Sequence, residues 1–142
     1  MEVSQVRKRM QAAMTTARDR AKQRRQKADE AEQAYEKFLD QLAAPLARQV
    51  VNALRAEGYA FTVSTPGRGL RVSLDQGRDD YIELALNSET DPPYVAGRIR
   101  RTRGSRTIDE ERPVKPGAGP DDVTEDDLLE FLARALEPWL ER

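Results

Sequence analysis

Met10, Met14, Ala17, Ala21, Arg24, Ala28, Ala31, Tyr35, Phe38 and Leu42 fall on one seam whose steps alternate between four and three residues. A helix that keeps this heptad spacing shows one narrow stripe along its length, as coiled-coil partners require. Glycine and proline are absent before Pro45. The pattern therefore predicts a single helix over residues 2–43, about 60 Å long at ~1.5 Å per residue. Pro45 removes a helical hydrogen bond and disfavours the α region for the residue before it, so a kink or restart is expected there. Beyond it, Leu46, Val50, Val51, Ala53 and Leu54 make a broader stripe, suited to covering a sheet. Gly58 stops that helix.

The period then changes from helical to two. Tyr59, Phe61 and Val63 alternate with small or polar residues, and Pro66 to Gly69 supply a turn. Leu70, Val72 and Leu74 form a second strand, closed by a turn at 75–78. Ile82, Leu84 and Leu86 mark the inward side of a third. A fourth is expected over 94–103, and a short fifth over 107–111 after a turn at Gly104 and Ser105. Residues 113–123, with three prolines and two glycines, read as a surface linker without regular structure. Thr124 is placed to cap a last helix, with Asp127 three residues on. Leu128, Leu132, Ala135 and Trp139, flanked by Leu129, Leu136 and Leu140, give that helix a wide apolar face. Pro138 is expected to end or bend it. The fold class is α+β: a long coiled-coil-like N-terminal helix, an antiparallel meander of four or five strands, and a C-terminal helix packed on one sheet face. The expected division is 1–43 as an oligomerisation helix and 44–142 as a small α+β domain.

Composition narrows the function classes. The chain of 142 residues has no cysteine and no histidine, which excludes disulfides, thiolate nucleophiles, imidazole bases and the usual transition-metal ligands. No cofactor is expected. The longest apolar runs are only a few residues, so neither a membrane span nor a signal-peptide core is expected, and the default location is cytoplasmic.

A net charge of −1 conceals strong segregation. Residues 1–27 hold nine Lys or Arg against Glu2 and Asp19, and residues 28–40 hold five acids against Lys37. Residues 109–142 carry four bases and eleven acids. Opposite charge at the two ends suggests head-to-tail or antiparallel pairing, within the molecule or between copies. The seam is predicted to hold a second copy or a partner helix. Antiparallel self-pairing is favoured, because it sets the bases at 18–27 beside Asp29, Glu30, Glu32 and Glu36. The competing reading is a solitary solvated helix.

Two other groups carry candidate chemistry. Arg98, Arg100, Arg101, Arg103 and Arg106 place five arginines in nine residues, a set that can bind phosphates or carboxylates bidentately and, with the basic helix tip, make a nucleic-acid surface. The acids at 121–127 are candidates to neutralise it internally, and a sequence pI near 5.7 weighs against it. Asp75, Asp79, Asp80 and Glu83 are the group to consider for a metal-dependent hydrolase or nuclease. A helix, a three-stranded meander and acids so placed resemble the restriction-endonuclease-like core, which pairs its second acid with a lysine two positions on. Ala85 stands there, and the resemblance stops. The expected function is a small non-enzymatic scaffold or adaptor acting through its N-terminal helix, with nucleic-acid binding as the alternative.

Overall fold

A computed structural model describes residues 1–76 and 79–141. The turn expected at 75–78 includes Gly77 and Arg78, which lie outside the described residues. The elements are α1 (Val3–Phe38), a π-helical turn (Leu39–Ala43), α2 (Ala44–Ala56), β1 (Phe61–Ser64), β2 (Leu70–Leu74), β3 (Tyr81–Asn87), β4 (Tyr94–Arg103), β5 (Arg106–Pro113), a 3₁₀ turn (Pro120–Asp122) and α3 (Glu125–Leu140). The protein is mixed α+β, with helices before and after an antiparallel sheet of order β1-β2-β3-β4-β5. Among the described residues no helix is long and apolar enough to cross a membrane.

The chain divides into two units, Met1–Glu30 and Ala31–Arg142. The first is helix alone. The second begins within α1, earlier than the 43/44 boundary expected, because Ala31, Tyr35 and Phe38 are buried and Tyr35 and Phe38 join its hydrophobic core. The Tyr35 hydroxyl donates to the Leu84 carbonyl of β3 at 3.1 Å, and its ring stacks on Phe38.

Pro45 acts differently from expectation. The residue before it, Ala44, stays in the right-handed helical region, and its N–H donates to the carbonyl of Leu39, five residues back. The ladder has widened by one residue. A proline ring collides with the carbonyl four residues before it and brings no donor of its own. A π turn just upstream accommodates that mismatch without breaking the helical path. It also shifts the apolar phase, so that Ala43, Ala44, Ala47 and Val51 face inward after it.

The inner sheet face is built from Phe61, Leu70, Val72, Ile82, Leu84, Val95 and Ile99, all buried. Register aligns them across strands, Val72 opposite Ile82 and Ile82 opposite Ile99. Helix α3 packs against this face with Leu128, Phe131, Leu132, Ala135, Leu136 and Trp139. Gly97 of β4 allows that approach: a Cβ there would lie 2.1 Å from Cζ of Phe131. The cap at Thr124 is a full capping box with Asp127, as its sequence predicts.

Pro138 does not end α3 before Trp139, since the helix runs on to Leu140. The last turn is held from outside the helix. The Trp139 indole N–H donates to Oδ2 of Asp80 at 2.9 Å, and its ring meets Phe61 edge-on. The 113–123 segment is likewise more anchored than a surface linker. The Val114 N–H donates to the Val95 carbonyl at 3.0 Å, and Val114, Ala118, Pro120 and Val123 are buried.

Candidate functional site

The N-terminal seam divides into a free part and a used part. Tyr35 and Phe38 are committed to the core, Ala31 is buried, and Leu42 packs against the core from the π turn. Met10 and Met14 are 50% and 49% exposed. Ala17 is exposed, and Ala21 and Ala28 are partly covered. Val3 and Val6 extend the exposed stripe towards the start of the helix. The exposed part of the seam is thus residues 3–28 rather than the whole helix.

The same heptad rows fix what flanks that surface. Arg18 and Arg25 run along one side and Arg20 and Lys27 along the other, with Arg7 and Arg24 in the seam itself. An antiparallel pair over Met10–Ala28 has its midpoint at Asp19, which brings Arg18 and Arg20 of one helix beside Arg18 and Arg20 of the other. A parallel pair would set Arg20 against Arg25. The acids at 29–36 relieved this repulsion only while the seam at 31–38 was free, and the core now occupies it.

The arginine strand resolves into a charge ladder. Successive side chains of a strand point to opposite faces, so Arg98 and Arg100 share one face and Arg101 and Arg103 the other. On the first face the register sets Arg71, Glu83, Arg98 and Glu111 in one row across β2 to β5. Arg71 bonds Glu83 at 2.5 Å, and Arg98 lies 3.7 Å from Glu111. Arg100 lies 3.6 Å from Asp109. Its pKa is raised, first by a hydrogen bond with Tyr81 and then by Asp109. On the other face Arg101 reaches Glu110 at 4.0 Å. The neutralising acids therefore come from β5 and not from the expected run at 121–127, where Asp127 caps α3 and pairs with Lys115 at 3.1 Å. Arg103 and Arg106 face each other across the hairpin tip.

The carboxylates near β2 and β3 do not converge. Asp75 accepts from Thr62 and Arg55, which together hold its pKa below the usual carboxylate range. Asp80 is 3% exposed, and its second oxygen accepts the Thr102 N–H at 2.8 Å. Glu83 is held by Arg71 and lines a cleft of about 310 Å³ with Glu32, Tyr35 and Arg68. Among the described residues no group of three acids is placed to hold a metal ion.

One surface was not singled out in the sequence. Leu129 and Leu140, read there as part of the buried face of α3, are 45% and 36% exposed. Helical spacing puts them in a row with the exposed Ala133, beside Asp126, Glu130 and Glu137. The signal was available, because the apolar face of α3 is wider than one sheet contact can cover.

Comparison with protein-family models, curated proteins and solved structures finds no match to this chain.

Proposed function

We propose that this chain is a non-enzymatic interaction protein, a scaffold or adaptor, whose working surface is the exposed seam of α1 from Val3 to Ala28. The observation that carries the reading is the pair Met10 and Met14, half exposed on the same stripe that is buried farther along the helix. A stripe of large apolar side chains, continued by an alanine seam with bases on both sides, is what a helix keeps for a partner. Alanine through its middle permits close backbone approach but buries little area, at about 25 cal/mol per Å², so the contact is of modest strength.

Hydrogen exchange on the full chain tests this. Amides over residues 3–28 are expected to exchange more slowly as chain concentration rises or when a partner is added. Exchange there that is fast and the same under every such condition would remove the reading.

A nucleic-acid role keeps one supporting observation, the paired Arg103 and Arg106 at the β4–β5 tip, with no carboxylate across from either. Salt-sensitive retention on DNA that is lost on Arg103→Ala/Arg106→Ala, and kept on Arg98→Ala/Arg100→Ala, would favour it.

A further inference from the structure

The large apolar side chains left exposed among the described residues are Met1, Val3, Val6, Met10, Met14, Leu129 and Leu140. They fall in two places, the start of α1 and the outer side of α3. These two stripes are opposite in charge. Arg7, Lys8 and Arg9 lie among the first, Arg18, Arg20, Arg25 and Lys27 flank the alanine seam that continues it, and Asp126, Glu130 and Glu137 run beside the second. Arg134 is paired with Glu130 at 2.7 Å, so the net negative charge of this row comes from Asp126 and Glu137.

We infer that the two stripes are the halves of one interface: the basic N-terminal helix of one copy lies along the acidic outer face of α3 of the next. This rests on the reading of α1 as an association surface and adds what covers it. Two arguments select this occupant over a second N-terminal helix. Pairing the free seam with its own copy opposes arginine to arginine in either orientation, and like charges face to face cost affinity. Docking on α3 sets bases against acids and takes apolar side chains of both stripes out of water. The contact uses different surfaces on the two partners, so it is heterologous. Such contacts close into rings or continue as open chains rather than stopping at two copies.

The test is a charge-swap pair on the full-length protein, followed by sedimentation across a concentration series at low salt. One variant carries Arg18→Glu, Arg20→Glu and Arg25→Glu; the other carries Asp126→Lys and Glu137→Lys. The natural chain is expected to gain mass beyond a dimer as concentration rises, and to lose that gain in high salt, where surface charges are screened. Each variant alone is expected to associate more weakly by roughly tenfold or more. An equimolar mixture is expected to recover association, because each helix then meets an α3 face of the opposite sign. Circular dichroism of each variant separates lost association from lost fold, and recovery on mixing cannot come from misfolded chains.

Association abolished by the helix variant but untouched by the α3 variant would overturn this inference and leave the helix as an association surface. A natural chain that stays monomeric throughout, with the two stripes covering each other within one molecule or not at all, would also overturn it. Association unchanged in both variants would overturn the inference and leave the proposed function standing, since Met10 and Met14 are kept in both.

Discussion

A methyl group at Gly97 would sit 2.1 Å from the Phe131 ring, so this position joins sheet to helix by what it lacks. Gly97→Ala forces the ring or the strand to move, and overpacking of this kind costs ~1–3 kcal/mol. A fall in the urea midpoint checks it, with Gly97→Ala/Phe131→Leu recovering part of the loss. Asp80 is the converse, a buried carboxylate whose oxygens are both occupied, by the Trp139 indole and the Thr102 amide. Asp80→Ala strands two donors and is expected to cost roughly 3 kcal/mol. Tyr35 links stability to pH. Burial first, then the Glu83 charge, push its phenol well above the usual tyrosine range. The folded chain keeps a proton that the unfolded chain loses near pH ~10. Its contribution is therefore complete below that pH and declines as pH rises above it. Tyr35→Phe should lack that alkaline decline when the two unfolding curves are compared. None of these three roles was legible in the sequence. Gly97, Asp80 and Tyr35 owe them to neighbours many residues distant, and the short-range pattern placed Tyr35 only on the helix seam and Asp80 only among the acids near β2 and β3.

At the scale of elements the sequence was far more informative, because turns and caps are local. Thr124 with Asp127 forms the capping box its spacing announces. The Thr124 backbone N–H first, then the Lys115 ammonium, hold the Asp127 carboxyl below the ordinary carboxylate range. Its contribution is present above the unfolded pKa of about 4 and lost as pH falls through the lower folded value. Thr124→Ala is expected to cost about 1 kcal/mol, and Asp127→Asn to flatten the acid side of the stability profile. Both are read by thermal unfolding between pH 2 and 7. Two prolines mark where local reasoning fell short. Pro45 announced a break, yet the backbone met it by widening to a π turn. Pro138 announced an end or a bend, yet the helix runs on past it to Leu140, where Trp139 bonds Asp80. The arginines of β4 were visible as a cluster, but their division between two faces follows from strand alternation. Their partners Asp109, Glu110 and Glu111 lie just across the hairpin.

For the whole molecule, one continuous heptad serves two purposes. From Ala31 onward it is buried, with Tyr35 and Phe38 in the chain's own core, and from Val3 to Ala28 it is open. Spacing alone could not divide it, since the steps are identical on both sides. The residue types carried the hint, alanine and methionine giving way to tyrosine and phenylalanine where the core begins. The proposed function needs the open part, Val3 to Ala28, to be an association surface. Sedimentation equilibrium of the full chain beside Met10→Glu/Met14→Glu tests that most directly. The account predicts a mass for the natural chain that climbs with concentration, and a monomer for the variant with unchanged helix content. Equal masses for the two chains, with the natural one already associated, would contradict it.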